Sequence, residues 1–180
     1  PDVRRAVTMD LKEAGNLLYL VGETNDELGG AHFAQRRTTS VPKVDLARAP
    51  QLLAALHSAI AGGLVRACHD LSEGGLAVAA AEMAFAGALG LQLDLAAVPR
   101  PAGLNDDIIV LFSESPTRLL VEVRPAAAPA FEASLACLPY ARIGVVSAVP
   151  ALVVAGTAGG EVLRASIAEL KAAWQHTEVV

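Results

Sequence analysis

Residues 64–89 read LVRACHDLSEGGLAVAAAEMAFAGAL, and they contain the signals of a strand, a loop and a helix in direct succession. The first five residues form a short apolar run, which is typical of a buried strand. From residue 74 to residue 89, small apolar side chains recur at helical spacing and predict a helix. The polar segment HDLSEGG connects the two. A strand that leads into a helix through such a loop indicates the α/β class.

The same alternation continues on both sides of this unit. Strands are predicted at residues 17–21, 91–95, 118–123, 141–147 and 150–156, and a Gly-Gly turn predicts a hairpin from the last of these to residues 161–165. Helices are predicted from residue 45 to the glycines at 62–63, at 126–137, over a short segment at 30–36, and after a capping box formed by Ser166 and Glu169. Residues 108–112 have no assignable type. We therefore expect an α/β sandwich with a mixed sheet.

Composition excludes several classes of protein. The 180 residues carry a formal net charge of −5, which argues against a nucleic-acid partner. A small basic cluster at Arg36, Arg37, Lys43 and Arg48 is interpreted as a solvated loop. No apolar run approaches the ~18 residues that a membrane span requires, and the start PDVRRAV, without an apolar central run, does not predict a signal peptide. The two cysteines, Cys68 and Cys137, are interpreted as buried thiols in a reducing cytoplasm.

The loop GETNDELGG at residues 22–30 is the first candidate ligand site. Its glycines allow the backbone to approach a ligand closely, and successive N–H groups in such a loop can bind an anion. It is not a Walker motif, because the required lysine is absent. Its three acidic residues would repel a phosphate unless a metal ion intervened. The alternative is a plain acidic surface loop.

The segment HDLSEGG at residues 69–75 is the second candidate. Asp70 and Ser72 are good helix N-caps, and Glu73 suits the first helical turn. This leaves Gly74 and Gly75 unexplained, because glycine in a helix costs ~1 kcal/mol relative to alanine. The glycine pair indicates that something packs close to the backbone. Asp70 and Glu73 are weak candidates for Mg²⁺ ligands.

We expect these two segments to line a ligand cleft, because α/β sheets bind ligands where strands end. No residue is assigned a catalytic role. The segment LFSES at 111–115 is interpreted as a polar turn, and His57 as a structural residue. The candidate cleft residues are Gly22, Glu23, Thr24, Asp26, Gly29, Gly30, His69, Asp70, Ser72, Glu73, Gly74 and Gly75.

Three long motifs occur in a fixed order: YLVGETNDELGGAHFA at 19–34, HDLSEGGLAVAAAEMAFAG at 69–87 and LFSESPTRLLVEV at 111–123. Together they resemble the C-terminal part of the phosphoribosylformylglycinamidine synthase family of purine biosynthesis, in its large-subunit form. The resemblance extends over residues 7–175. One departure is Ala31, where related sequences often carry a serine that could donate to a phosphate. This departure weakens the ligand prediction for the first loop.

The resemblance implies a three-layer α/β/α sandwich with a mixed sheet, like the C-terminal domain of aminoimidazole ribonucleotide synthetase. It implies that the chain is the second such domain of a longer enzyme, and a start without methionine agrees with a fragment. Residues 1–15 are then a linker or an edge strand from an upstream domain, and residues 16–180 are a single domain.

In the resembled family, which uses ATP and Mg²⁺, ATP activates the substrate amide by phosphorylating its oxygen. Ammonia derived from glutamine then displaces that phosphate. The resemblance implies that this chain lines a nucleotide cleft, catalytic or non-catalytic, and is inactive alone. Implied partners are upstream domains, a glutaminase and small accessory subunits, in the cytoplasm. If neighbouring domains are missing, we expect the apolar surface that they would cover to be either open to solvent or covered in a homodimer. Alternatives are a stand-alone relative of selenophosphate synthetase, hydrogenase-maturation proteins or thiamine-phosphate kinase, and a plain interaction domain without a ligand.

Overall fold

The computed structural model describes residues 2–31, 33 and 40–176. The strands are β1 (Leu17–Val21), β2 (Val65–Asp70), β3 (Gly90–Asp94), β4 (Leu119–Val123), β5 (Tyr140–Ser147), β6 (Ala151–Ala155) and β7 (Glu161–Ser166). The α-helices are α1 (Ala49–Ala61), α2 (Gly75–Gly87), α3 (Asp107–Phe112), α4 (Ala128–Ser134) and α5 (Ile167–Gln175). Short 3-10 helices occupy Val3–Arg5, Leu95–Ala97 and Pro125–Ala127.

Within the described residues, the seven strands form one mixed sheet in the order β2-β4-β1-β5-β3-β6-β7. Among these neighbours, β3 and β6 run parallel and the other pairs run antiparallel. The β6–β7 pair is the hairpin predicted from the glycine turn. The mixed sheet expected from the sequence is therefore confirmed.

Side chains alternate between the two faces of the sheet, as the pleat requires. On β1, Leu18 and Leu20 enter one hydrophobic core, whereas Tyr19 and Val21 enter the other. The first core includes buried residues of α2, α3 and α5, and the second includes buried residues of α1 and α4. Helices thus cover both faces of the sheet, which confirms the three-layer α/β/α architecture.

Two helix predictions are refined. The segment at 108–112 is α3, which begins with Asp106 as its N-cap: the Asp106 side chain accepts a hydrogen bond from the backbone N–H of Ile108. Helix α1 begins at Ala49 rather than at residue 45, because Asp45 accepts from the N–H groups of Ala47 and Arg48 and forms a turn. Most of the helix predicted at 30–36, with Arg36 and Arg37, lies outside the described residues.

The N-terminal segment packs against the domain before β1 begins. Residues 2–16 contain no strand, although the N–H of Cys68 on β2 donates to the carbonyl of Thr8 at 3.2 Å. The buried carboxylate of Glu122 on β4 accepts from the N–H groups of Lys12 (2.9 Å) and Glu13 (3.2 Å) and from the Asn16 amide (2.5 Å). The domain boundary at residue 15 stays a prediction.

The interpretation of both cysteines as buried thiols is wrong for Cys137, which is exposed. It lies after α4 in a left-handed conformation (φ 70°), where the chain turns toward β5. Cys68 is half-buried, and burial, helped by the charge of Asp70, raises the pKa of its thiol to about 12. His57 is also exposed, on the outer side of α1. Among the described residues, no helix combines the length and hydropathy needed to cross a membrane.

Candidate functional site

Both candidate segments lie at the same edge of the sheet. Strands β1 and β2 flank β4 and both run antiparallel to it, so they are parallel to each other and end at the edge where β4 begins. Val21 at the end of β1 and Asp70 at the end of β2 are both paired with Leu119, the first residue of β4. The loop at 22–30 and the segment at 71–75 therefore leave the sheet on either side of the chain that enters β4.

The chain entering β4 is the LFSES segment, and its serines hold the first loop in place. The hydroxyl of Ser113 donates to the carbonyl of Asn25 at 2.6 Å and accepts from the N–H of Glu27 at 3.2 Å. The hydroxyl of Ser115 accepts from the N–H of Asn25 at 3.0 Å. Both serines are buried. The interpretation of this segment as a plain polar turn therefore missed its role as the support of the loop.

A buried arginine, Arg118, lies at the centre of this arrangement. Its Nε donates to the carbonyl of Ser115 at 2.8 Å, its Nη1 donates to the hydroxyl of Thr24 at 2.9 Å, and its Nη2 donates to the carbonyl of Ser113. Burial lowers the pKa of Arg118 to about 10, against the opposing effect of the Glu27 and Glu114 carboxylates. The guanidinium thus remains charged at neutral pH.

The same segment holds the second candidate loop. The carboxylate of Glu114 accepts from the N–H of Gly74 at 2.9 Å, and the carbonyl of Arg118 accepts from the N–H of Leu71 at 3.0 Å. Residues 113–118 are thereby bonded to both candidate segments. In the sequence, the only sign that this segment supports the loops is the charged residue Arg118 at the start of the apolar run RLLVEV. The groups to which Arg118 bonds could not be identified from it.

The capping prediction for α2 is wrong. Asp70 belongs to β2 and Ser72 precedes the helix by three residues, so neither is placed to cap it. The N-cap is Gly74, which has no side chain with which to make a capping hydrogen bond. Gly74 and Gly75 have φ of 76° and 61°, a conformation that glycine adopts without strain. A Cβ on Gly75 would collide with the carbonyls of Ser113 and Leu111. The close approach inferred from the glycine pair is therefore made, at Gly75, by the chain itself.

The predicted cleft residues differ in how accessible they are. The side chain of Thr24 is completely buried, so it supports the loop through Arg118. His69 bonds to Glu82 of α2 at 2.7 Å, and its side chain is only 16% exposed. Gly22 and Gly75 are buried, Glu23, Gly29 and Gly74 are partly exposed, and the residues exposed at this edge are Asp26, Gly30, Asp70, Ser72 and Glu73.

A further acidic residue, Glu27, is nine-tenths buried in the first loop, with an exposed fraction of 7%. Its Oε1 accepts from the N–H of Lys43 at 3.0 Å, whereas its Oε2 has no hydrogen-bond partner in the described ranges. Beside the loop, Arg48 pairs with Glu23 at 2.9 Å on the rim of a depression of about 60 Å³. This volume is far too small to enclose a nucleotide.

The described residues contain no group of three or more His, Cys, Asp or Glu side chains suited to hold a metal ion. The side chain of Asp70 is 70% exposed and open to solvent. Magnesium typically takes only one or two protein carboxylates and completes its shell with phosphates and water. An exposed carboxylate such as that of Asp70 could be one of those protein ligands.

Comparison with protein families gives a match to the model described as AIR synthase related protein, C-terminal domain, over residues 13–156. The chain belongs to this family. The matched residues extend from the segment held by Glu122 to the end of β6 and include both candidate loops. Strand β7 and helix α5 follow the matched region.

Two curated relatives of this chain carry the same name. Phosphoribosylformylglycinamidine synthase subunit PurL of Deinococcus radiodurans is 36% identical over 185 residues, which cover 98% of this chain and 24% of the relative. The PurL subunit of Alkaliphilus metalliredigens is 33% identical over 97% of this chain and 23% of its own length. The chain thus spans about a quarter of the length of the relatives it matches.

Solved structures confirm the fold. T. maritima PurL complexed with FGAR has a TM-score of 0.79 at 22% identity, covering 93% of this chain and 29% of that chain. T. maritima PurL complexed with ATP has a TM-score of 0.75 at 20% identity, covering 93% and 27%. E. coli HypE, a hydrogenase maturation protein, has a TM-score of 0.65 at 21% identity, covering 87% and 50%.

Proposed function

We propose that this chain is the second C-terminal-type domain of phosphoribosylformylglycinamidine synthase. This enzyme uses ATP and glutamine-derived ammonia to convert formylglycinamide ribonucleotide to formylglycinamidine ribonucleotide in purine biosynthesis. The observation that carries the proposal is the 36% identity to PurL of Deinococcus radiodurans along 98% of the chain. The two curated relatives, at 36% and 33% identity, are both PurL subunits. The likeness to HypE, at 21% identity, concerns the fold alone.

Within that enzyme, the domain would form one wall of a nucleotide or substrate cleft. The support is the edge at which the loop at 22–30 and the segment at 71–75 meet around residues 113–118. Asp26, Gly30, Ser72 and the N-terminus of α2 are the groups we expect to face the ligand. No residue of this chain is proposed to be catalytic, and the domain contributes binding surface.

Asp70 and Glu73 are the proposed protein ligands of a Mg²⁺ ion that accompanies the nucleotide. A magnesium ion neutralises part of the phosphate charge, which would otherwise be repelled by the acidic residues of both loops. The exposure of the Asp70 carboxylate supports this role. The phosphates themselves would complete the coordination shell.

The domain also has surface suited to contacts with other domains. Four apolar side chains next to the first loop are largely exposed: Val41 (55%), Val44 (51%), Leu46 (83%) and Leu53 (50%). Exposed apolar side chains mark an interface when they form a patch. We propose that upstream domains of the same chain cover them, and that a glutaminase and a small accessory subunit complete the complex in the cytoplasm.

The test is a thermal-shift titration of the chain with ADP and Mg²⁺. A ligand that binds only the folded state raises the midpoint temperature as its concentration exceeds the dissociation constant. We expect ADP with Mg²⁺ to raise the midpoint, ADP with excess EDTA to raise it less, and Asp70→Asn to abolish the difference between the two conditions.

The matched control is Glu161→Gln, which removes an exposed carboxylate from β7. This strand is the outermost one on the side of the sheet away from β2. This variant should respond to ADP and Mg²⁺ as the unmodified chain does. If the unmodified chain shows no shift, or if the two variants respond equally, the nucleotide-binding role is rejected. A plain interaction domain would then be the better description.

A further inference from the structure

Two phenylalanine rings form a stack beside the first candidate loop. The centroids of the Phe33 and Phe112 rings are 4.2 Å apart and their planes are inclined by 7°, so the rings are nearly parallel. Phe33 follows the loop at 22–30 closely in the sequence, and Phe112 is the last residue of α3 and part of the LFSES segment. The stack therefore joins the chain that leaves the first loop to the segment that supports both loops.

Phe112 also contacts the second candidate segment through its backbone. A Cβ on Gly75, the first residue of α2, would lie 3.0 Å from the carbonyl carbon of Phe112. The ring of Phe112 is partly buried and packs against the hydrophobic core below α2 and α3. Phe112 is therefore a fixed support, and the ring of Phe33 rests on it.

The ring of Phe33 is open to solvent on the side away from its support. Phe33 is 48% exposed, although one face of its ring lies against Phe112. An exposed apolar side chain is ordinary when it occurs singly. Here the exposed ring is stacked on a second ring and lies next to the proposed binding edge, so it forms a flat aromatic platform.

A platform of this kind binds flat aromatic groups. Aromatic rings favour parallel, offset stacking on one another. Nucleobases stack on aromatic side chains in the same way and with little dependence on the base, because every base has a π-face. Of the two ligands considered above, ATP or ADP carries such a base, whereas formylglycinamide ribonucleotide carries an acyclic amide on its ribose in place of a base.

We propose that Phe33, supported by Phe112, stacks on the adenine ring of a nucleotide bound at this edge. The inference rests on the proposed function and narrows it: this edge binds the base-bearing nucleotide rather than the ribonucleotide substrate. The phosphates and Mg²⁺ keep the positions proposed above, and Phe33 contributes affinity for the base alone.

Thermal-shift titrations with three probes separate the base from the phosphates. The probes are ADP and inorganic pyrophosphate, each with Mg²⁺, and formylglycinamide ribonucleotide, and the dependence of the midpoint on concentration gives each dissociation constant. We expect the unmodified chain to bind ADP about tenfold more tightly than pyrophosphate, because a stacked base adds affinity of that order. Formylglycinamide ribonucleotide should show no such advantage.

Two variants of Phe33 test whether the ring supplies this advantage. Phe33→Leu keeps an apolar side chain but removes the aromatic face, so ADP should bind about as weakly as pyrophosphate. Phe33→Tyr keeps the face and should keep the tenfold difference. Trp174→Leu is the matched control, since it removes another half-exposed aromatic ring, on α5, and should bind all three probes as the unmodified chain does.

Tryptophan emission gives a direct readout of stacking. The double variant Phe33→Trp/Trp174→Phe carries its one indole at the platform, because the chain has a single tryptophan. ADP should quench this emission by stacking on the indole, whereas pyrophosphate should leave it unchanged. Far-UV circular dichroism shows whether each variant is folded, and if Phe33→Leu fails to fold, the emission of the double variant decides.

The proposal is overturned if ADP and pyrophosphate bind the unmodified chain equally well, in which case the proposed function stands without the base contact. It is also overturned if Phe33→Leu keeps the advantage of ADP, and an apolar group of a neighbouring domain would then be the better occupant of the platform. If neither ADP nor pyrophosphate binds, the nucleotide-binding role itself is rejected and this inference with it.

Discussion

At the residue scale, Arg118 is the side chain on which the candidate site depends. It is 1% exposed, and its guanidinium donates to two carbonyls and one hydroxyl. Those acceptors belong to Ser115, Ser113 and Thr24, so the side chain joins the first loop to the segment that enters β4. A planar group with donors in a fixed fork suits this task, and a lysine ammonium cannot reproduce that geometry.

Replacement of Arg118 by lysine should therefore destabilise the domain. The shorter reach of the ammonium leaves at least one buried acceptor without a donor, and each such loss costs about 1–3 kcal/mol. We expect the free energy of unfolding of Arg118→Lys to fall by about 2–4 kcal/mol. Equilibrium unfolding in urea measures it.

The control is Arg124→Lys, at the other end of β4, where the arginine side chain is 52% exposed. Surface substitutions of this kind change stability by about 0.5 kcal/mol or less. Equal stabilities for the two variants would show that the three hydrogen bonds of Arg118 do not hold the site together.

At the element scale, the start of α2 is determined by its contact with the end of α3. Gly75 lies against the carbonyls of Leu111 and Ser113, and its left-handed φ of 61° turns the chain from β2 into the helix. The contact places the N-terminus of α2 directly beside the segment that supports both loops. A side chain at position 75 would push these two elements apart.

Substitution of Gly75 by alanine tests this contact. Gly63 provides a matched control, because it has a φ of 73° but nothing within 4 Å of an added Cβ. Gly63→Ala should cost only the left-handed strain, about 1–2 kcal/mol. Gly75→Ala should cost that strain plus a backbone collision, about 3 kcal/mol or more in total.

Thermal unfolding of the two variants in parallel measures the difference. Proposed ligand binding offers a second readout, since displacement of α2 from residues 111–113 should also weaken the ADP-dependent thermal shift. Equal losses of stability in the two variants would mean that α2 and α3 can separate at little cost.

At the scale of the whole molecule, the two faces of the sheet are covered unequally. The cluster that contains α1 and α4 lies on β1, β2 and β4, whereas a depression of about 510 Å³ lies over β3, β5 and β6 and is lined in part by Gln92, Arg142 and Val153. Together with exposed Leu46, this leaves surface that the domain itself does not cover. Such a surface agrees with a chain that spans about a quarter of its relatives.

We therefore expect no synthase turnover from this chain alone. It offers a proposed binding edge but no assigned catalytic group, and a function depends on a complete site rather than on a fold. The measurement is ATP hydrolysis that depends on both formylglycinamide ribonucleotide and ammonia. Full-length PurL of Deinococcus radiodurans, assayed in parallel, is the positive control.

Turnover by the 180-residue chain at a rate above the buffer blank would contradict this expectation. The chain would then have to contain a complete ATP site, and the proposal that it supplies only one wall of a cleft would be wrong. Absence of turnover together with an ADP-dependent thermal shift is the combination that the proposed function predicts.

The sequence by itself determined most of the elements of this protein. Strand β1, the β6–β7 hairpin and the capping box of α5 follow from signals within a few residues, because periodicity, turn chemistry and capping are local properties. The three motifs also indicated the family over most of the chain. The order of the strands was not accessible in this way, because it depends on which distant segments pair.

Only the tertiary structure decided how the candidate site is held together. Arg118 and Thr24 are 94 positions apart in the chain, and Glu114 is 40 positions from Gly74. A local pattern cannot indicate such bonds, so the LFSES segment resembled an ordinary turn, and Asp70 and Ser72 resembled helix caps. Buried polar groups must find partners wherever the fold brings them. The partners of the two loops were therefore fixed by the packing of β4 between β1 and β2.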